Sequence, residues 1–372
     1  MPSIISFLSN AMYVVVAVLV LLFMITVHEL GHYIAGKILK FKINEFSIGF
    51  GPAVIKRTNK KTGGVFAVRI IPLGGYCAFE GEDQDGNENP RSFNKQKGWK
   101  RLIVLFSGAF ANFIVSIVLI LALFVFGGVN TIKVDGVYNV AEGHQIETPS
   151  GNEDKNGFEE GDLILKIDGK YTYLQSISDI IEKKQINEPI SVQVYRNNKV
   201  EKITVYKATF YEYDASGNIK TDKNGDKITF VGIGIKPALG NMHYGFFESI
   251  GIAFSYIFDL IVFIFTILWR LITFQQSLFA MSGPISTIGI TAQVASSGVR
   301  NLVDIAGLIG INLAVFNLIP FPALDGAKMT FVGIEMIRKK PINRKIEAAI
   351  HAFGLLFLFS FVIFIDILKL FV

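Results

Sequence analysis

Apolar and polar stretches alternate along the chain in long blocks. Apolar runs occupy residues 11–36, 102–126, 246–273, 305–319 and 348–372. About 20 apolar residues suffice to cross a bilayer, so most of these runs are candidate transmembrane helices. Between the second and third runs, residues 130–236 are rich in Gly, Asn, Asp, Lys and Glu. About a hundred residues can bury a core of their own, so this region is predicted to be a soluble inserted domain.

Two of the polar regions also carry strand signals. Residues 65–71 alternate and are rich in β-branched side chains, and Pro72–Tyr76 is typical of a turn, which together predict a short hairpin or a loop with strand character. In the inserted domain, strands are predicted at Leu163–Ile167, Ile190–Tyr195 and Val200–Tyr206, with a helix at Ser176–Lys184. An α+β domain is therefore expected there.

Composition supports a membrane protein and excludes some classes of site. Of 372 residues, 51% are hydrophobic and only 18% are charged, which is too apolar for an ordinary soluble domain. The net charge of +5 is modest and does not point to nucleic acid. Cys77 is the single cysteine, so an internal disulfide and a cysteine-based zinc site are both excluded. Any bound metal must be held by His, Asp or Glu.

The basic residues predict how the chain is threaded. They concentrate in residues 37–101 and 338–345, and the positive-inside rule places both loops in the cytoplasm. The first span then runs inward and the second returns, which leaves the inserted domain outside. To bring residue 338 back inside, the chain must cross an odd number of times after the inserted domain. If residues 305–336 contain one crossing, residues 246–273 cannot be another, so they are predicted to lie along the outer interface or to re-enter.

The predicted fold is thus a polytopic α-helical membrane protein with about four transmembrane helices, a short β-hairpin region and an inserted extracytoplasmic α+β domain. The sequence divides the chain into four segments. Residues 1–128 contain the first two spans, and residues 129–236 form the inserted domain. Residues 237–304 form peripheral or re-entrant helices, and residues 305–372 contain the last two spans.

The first apolar run contains the sequence His28-Glu29-Leu30-Gly31-His32. On a helix, His28 and His32 share one face and can hold one metal ion, and Glu29 stands beside them to handle the protons of a metal-bound water. The alternative is a pair of core histidines with satisfied hydrogen bonds and a surface glutamate. Ionisable side chains within a membrane span are costly and usually functional, which favours a zinc site.

A catalytic zinc site usually takes a third protein ligand. Glu45 is the nearest acidic candidate, but it follows the span among polar residues. Asp325 is the stronger candidate: from the predicted span starts near residues 11 and 307, His28 and Asp325 lie about 17 and 18 residues along, at similar depth for a rise of about 1.5 Å per residue. Pro320 and Pro322 break the helix just before it, and broken backbone at membrane depth is tolerated where it lines a protein cavity.

These motifs together resemble the site-2 protease family of intramembrane zinc metalloproteases, in particular the bacterial regulator-of-sigma-E protease type. The likeness rests on His-Glu-Leu-Gly-His, on the Asn317–Gly326 sequence Asn-Leu-Ile-Pro-Phe-Pro-Ala-Leu-Asp-Gly, and on the insert. Pro72–Tyr76 resembles that group's membrane-associated β-hairpin loop, and Ser282-Gly283-Pro284 its Gly-Pro motif. Residues 139–207 resemble one PDZ domain. Ala327 departs from the family, which usually continues Asp-Gly-Gly.

The resemblance implies zinc ligands His28, His32 and Asp325, with Glu29 as general base. Asn317 falls where the family has an asparagine that contacts substrate or steadies the oxyanion; a helix-end cap is the alternative. The implied activity is hydrolysis within transmembrane segments of single-span substrates, such as anti-sigma factors and remnant signal peptides, in regulated intramembrane proteolysis. The implied location is the bacterial cytoplasmic membrane, with the PDZ-like domain outside as a size filter or a passive spacer.

A helical substrate segment must unwind before hydrolysis, because its carbonyls are held in intrahelical hydrogen bonds. The strand signals suggest that the unwound segment pairs with an edge strand at Val68, Ile70 and Gly75. Two other functions stay open. One is a membrane-tethered zinc protease that cuts soluble or prenylated substrates and takes its third ligand from the polar loop. The other is an inactive PDZ scaffold, which the intact His-Glu-x-x-His disfavours.

Overall fold

The computed structural model describes residues 4–82, 89–141, 156–172, 177–214, 217–275 and 283–368. The chain forms two compact units, one from residues 1–123 with 257–372 and the other from residues 124–256. The second unit corresponds to the inserted domain expected from the sequence.

The first unit is mainly helical. Its helices are α1 (Ile4–Ile38), α2 (Gly98–Ala122), α5 (Pro284–Ser296), α6 (Val299–Asn317), α7 (Asp325–Arg338) and α8 (Arg344–Leu368), and it also takes the second half of α4 (Phe246–Ile272). Helix α1 packs against α2 and α5, and α2 packs against α6 and α7. Glycine makes the α1–α2 approach possible: a Cβ on Gly31 would lie 2.9 Å from the Ala111 Cβ. Close packing of this kind through small residues is typical of membrane helices.

Five helices in the described part of the chain are long and apolar enough to cross a membrane, namely α1, α2, α4, α6 and α8. A polytopic membrane protein is therefore confirmed. The predicted count of four spans rests on the charge argument, which keeps α4 out of the bilayer although it is one continuous helix of 27 residues. Helix α6 begins at Val299, before the apolar run that starts at residue 305. The membrane path of α4 stays a prediction.

The polar loop after α1 folds into two long paired strands, β1 (Ile43–Thr58) and β2 (Val65–Phe79). The turn predicted at Pro72–Tyr76 is wrong, because these residues continue β2. Gly74, at a φ of 130°, lets the strand bend there. Gly75 then pairs with Ile48, so partners distant in sequence override the local turn signal.

The strand pairs show which edge of this sheet is open. Phe46 pairs with both Cys77 and Phe66, and Val68 pairs with both Ile48 and Ile55. Val68 therefore lies inside the sheet, which corrects the expectation that it belongs to an edge strand. The segment from Gly75 to Phe79 has a strand partner on one side only among the described residues.

The second unit is built on an antiparallel sheet. Its strands are β3 (Val129–Val137), β4 (Leu163–Ile167), β5 (Lys170–Tyr171), β6 (Pro189–Arg196), β7 (Lys199–Tyr206) and β10 (Ile235–Met242), with a separate pair β8 (Ala208–Tyr211) and β9 (Thr229–Gly232). The path order is β10-β3-β4-β6-β7, with β5 paired to β4. The three predicted strands are confirmed as β4, β6 and β7, and the short helix α3 (Ile177–Glu182) lies within its predicted range.

This sheet has a hydrophobic core and a buried ion pair beside it. Phe158 is fully buried with Ile164 and Val192. Asp162 is also buried, and its carboxylate pairs with the Arg196 guanidinium at 2.7 Å. The predicted domain boundary at residue 236 cuts through β10, which pairs with β3 up to Met242.

A cysteine scan tests the membrane path of α4. If α4 does not cross the bilayer, residue 285 lies outside. In a Cys77→Ser background, we therefore expect Ile285→Cys to react with an impermeant thiol reagent added outside. Ile285 is well exposed, so reactivity reports its side of the membrane. Lys223→Cys in the inserted domain is the outside control and Lys340→Cys the inside control. Labelling of Ile285→Cys only after permeabilisation would contradict four spans.

Candidate metal centre

Two histidines on α1 point toward one another in the protein interior. His28 and His32 are only 8% and 7% exposed. Their spacing of one helical turn brings the two Nε2 atoms to 3.1 Å. Two ring nitrogens at this distance face one common point rather than separate partners.

Asp325 completes this cluster as the first residue of α7. Its Oδ2 lies 2.9 Å from His28 Nε2 and 3.2 Å from His32 Nε2. These three residues form the one group of potential metal ligands found among the described residues, with the ligand atoms within 4.8 Å of each other. Ligands about 2.0–2.1 Å from a tetrahedral zinc stand roughly 3.3 Å apart, so the donor set fits that metal.

The other ring nitrogens of the two histidines differ in their surroundings. His32 Nδ1 donates to the Val104 carbonyl at 2.7 Å, which leaves its Nε2 free to ligate, as in most metal-bound histidines. His28 Nδ1 is buried and has no hydrogen-bond partner among the described residues. His32 is therefore held as a metal ligand would be, and the case for ligation rests on the convergence of both Nε2 atoms with Asp325 Oδ2.

Helix α2 closes the site from one side because it carries glycine there. A Cβ on Gly108 would lie 2.6 Å from His32 Cε1 and 2.8 Å from His28 Cε1. One and two turns further along α2, Asn112 and Ser116 are fully buried, and their polar side-chain atoms have no hydrogen-bond partner in the described part of the chain. The α2 face beside the histidines is thus both tightly packed and polar.

Strand β2 positions Glu29, the glutamate of the His-Glu-x-x-His motif. Glu29 is half-buried, and its carboxylate accepts a hydrogen bond from the backbone N–H of Cys77. A Cβ on Gly75 would lie 3.5 Å from Glu29 Cγ. The open edge of the sheet therefore runs beside the carboxylate. Sequence reasoning missed this contact because Pro72–Tyr76 was predicted to be a turn.

The segment before Asp325 is held in place by α8. The backbone N–H of Ala323 donates to His351 Nδ1 at 3.0 Å, and Ala323 adopts a left-handed φ of 85°. A Cβ on Gly354 would lie 2.7 Å from the Pro322 carbonyl oxygen, so the two segments touch. Sequence reasoning also missed His351; its one signal was a histidine near the start of the last apolar run.

Helix α7 is anchored at its far end by charge. Glu335 is 8% exposed and accepts hydrogen bonds from Arg101 of α2 at 2.6 Å and from Arg344 of α8. Burial alone would raise the pKa of the Glu335 carboxyl, but the Ile342 N–H and Arg101 lower it below its ordinary value. Removing one partner from such a buried pair typically costs about 3–5 kcal/mol. Both ends of α7 are therefore fixed.

The remaining predicted residues fall in different places. Glu45 lies away from the cluster and binds Arg69 and Tyr76. Burial alone would raise the pKa of Glu45, but these hydrogen bonds lower it. Asn317 ends α6 and is half-buried, and its role stays a prediction. Ile70 is 64% exposed.

The predicted Gly-Pro motif is only partly described. Gly283 is buried, and its N–H donates to Asp366 of α8 at 3.2 Å. The same carboxylate accepts the Ile285 N–H at 3.0 Å, so Asp366 caps the start of α5. Ser282 lies outside the described residues.

Two solved PDZ domains align with part of the chain. That of the SdrC-like protein from Listeria monocytogenes is 22% identical and covers 28% of this chain and 88% of its own, with a TM-score of 0.16. The counterpart from Listeria innocua is 22% identical and covers 30% and 100%, with a TM-score of 0.15. TM-scores this low do not establish a shared fold, so the PDZ-like domain stays a prediction.

Similarity over the whole length is much stronger. The model of peptidase family M50 matches residues 16–361. A candidate zinc metalloprotease of Helicobacter pylori is 32% identical and covers 96% of this chain and 97% of its own. One from Fusobacterium nucleatum is 29% identical, covering 96% and 98%. Zinc metalloprotease RasP of Oceanobacillus iheyensis is 26% identical, covering 94% and 97%. The chain therefore belongs to peptidase family M50, the site-2 proteases, which are zinc-dependent metalloproteases.

Proposed function

We propose that this protein cleaves peptide bonds within the membrane, with zinc held by His28, His32 and Asp325 and with Glu29 as general base. The observation that carries the proposal is the convergence of three ligand atoms from α1 and α7, two on buried histidines and one on the half-buried Asp325. Helix α1 is apolar over Ala11–Ile38, a length that crosses a bilayer, and the two histidines lie in its second half. A site in this position acts on substrates that enter the membrane.

The chain's own groups supply most of the chemistry. Zinc held by His28, His32 and Asp325 would acidify a water molecule and polarise the scissile carbonyl. The Glu29 carboxylate, oriented by the Cys77 N–H, takes the proton from the attacking water and delivers it to the leaving amine. Asn317 donates a hydrogen bond to the developing oxyanion, a contribution of a few kcal/mol in comparable sites.

The substrates that fit are single-span membrane proteins, including anti-sigma factors and remnant signal peptides, in the bacterial cytoplasmic membrane. Their transmembrane segments must be extended before attack. The edge from Gly75 to Phe79 lies beside Glu29 and has a strand partner on one side only among the described residues, which supports strand addition at this edge. The inserted domain then lies on the extracytoplasmic side of the membrane, where it meets substrates before they enter.

The first experiment measures zinc content and cleavage of a single-span substrate in detergent. We expect Glu29→Gln to keep zinc but to lose about a hundredfold or more in cleavage rate, because general-base catalysis typically contributes 10²–10⁴-fold. Asp325→Ala should lose both zinc and cleavage. Glu45→Gln is the matched control, since it removes a carboxylate from the polar loop and should change neither. Zinc retained in Asp325→Ala and lost in Glu45→Gln would favour the membrane-tethered protease instead.

Disulfide trapping tests the open edge. In a Glu29→Gln, Cys77→Ser background that keeps substrate uncleaved, we expect Tyr76→Cys to crosslink to a cysteine near the scissile bond. Val68→Cys should crosslink at least several-fold less, because both of its sides are already paired. Equal crosslinking at the two positions would argue against strand addition at this edge.

His351 should set zinc affinity through the segment that carries Asp325. In His351→Asn, the side-chain oxygen lies where Nδ1 was and can still accept the Ala323 N–H. In His351→Gln, the side-chain oxygen lies where Nε2 was, so this hydrogen bond is lost. We expect His351→Gln to weaken zinc binding about 10–100-fold, the usual cost of losing an outer-shell partner. His351→Asn should stay within about threefold of wild type by the same measure. Zinc titration of the apo-protein is the readout, and equal losses in both variants would contradict the role.

A further inference from the structure

A cavity of about 620 Å³ lies between the end of α1 and the β1–β2 hairpin. Five cationic side chains line it: Lys37, Lys42, Arg57, Lys61 and Arg91. None of its described lining residues is acidic. The five come from different elements, since Lys37 is on α1, Arg57 on β1 and Lys61 in the hairpin turn, so their convergence is a product of the fold rather than of one basic run.

These cations are not neutralised within the described structure. Lys42 is half-buried, and the other four side chains are exposed around it. None of the five forms an ion pair with a described residue. Lys42 Nζ donates to the Thr62 carbonyl, and Lys37 Nζ lies 4.7 Å from the Tyr33 ring centroid. Like charges around one cavity repel, and a bound anion would remove that cost.

The remaining walls indicate what kind of anion fits. Tyr33, Phe41, Phe46 and Phe66 give the cavity an aromatic lining next to its cations. Lys37 lies in the last turn of α1, where an apolar helix of membrane-spanning length ends. A phosphate attached to an apolar tail would satisfy both kinds of wall at this depth. Basic pockets beside membrane helices bind anionic lipid headgroups in this way.

We propose that this cavity binds the phosphate headgroup of an anionic phospholipid, with Arg57 and Lys61 among its contacts. The lipid would hold the β1–β2 hairpin against the membrane surface. The rival explanation is that the charges only orient the chain in the bilayer. Lys56 and Lys60 separate the two, because they adjoin Arg57 and Lys61 in the same hairpin but do not line the cavity.

The test is native mass spectrometry of the full-length protein from nanodiscs of phosphatidylcholine mixed with phosphatidylglycerol. We expect the wild type to retain phosphatidylglycerol preferentially. Each charge near an anionic headgroup contributes about fivefold in affinity, so Arg57→Gln with Lys61→Gln should weaken retention about 25-fold. Lys56→Gln with Lys60→Gln should change it by less than about threefold. Equal losses in the two pairs, or no preference in the wild type, would overturn the proposal.

Two further arms complete the test. Zinc content monitors folding, and if the double variant loses zinc, Arg57→Gln alone must still show about a fivefold loss with zinc retained. Inorganic phosphate at millimolar concentration distinguishes the source of the anion. We expect it to leave the bound lipid in place. Displacement of phosphatidylglycerol by phosphate alone would assign the cavity to a free phosphate and refute the lipid.

Discussion

The structure depends on keeping one carboxylate beside two imidazoles inside an apolar helix bundle. Asp325 and the pair His28 and His32 belong to helices far apart in sequence, and their polar atoms approach to about 3 Å. Burying such groups without partners is strongly unfavourable. Much of the surrounding architecture meets this constraint: Gly31 and Gly108 allow α1 and α2 to approach closely, the Val104 carbonyl fixes one ring, and α8 holds the segment before the aspartate.

The sequence predicted most of the fold and of the proposed site because the decisive signals are local. The i, i+4 histidines, the apolar runs and the alternating strands at 163–167 and 190–195 each depend on residues close in the chain. Asp325 was reached by comparing depths along two helices. The structure does bring Asp325 beside the histidines, but not along one continuous helix, since α6 runs from Val299 to Asn317 and Asp325 begins α7.

What the sequence did not predict depends on long-range contacts. Pro72–Tyr76 has the composition of a turn, but pairing with residues 47 and 48 makes it a strand. Val68 lies in a segment of alternating residues that was predicted to be an edge strand, yet it has a strand partner on both sides. The contact from His351 to Ala323 joins two helical regions that no periodicity relates. The cationic cavity likewise becomes visible only when α1 and the hairpin turn are brought together.

The bent sheet has a consequence for substrate choice. Its open segment at Gly75–Phe79 offers backbone groups beside Glu29. Recognition through backbone hydrogen bonds is nearly blind to side-chain identity. Under the proposed function, the free energy needed to unwind a helix would then sort one transmembrane segment from another. Residues with low helix propensity near the cleavage point would act as the signal, so unrelated sequences with weak helices would be cut alike.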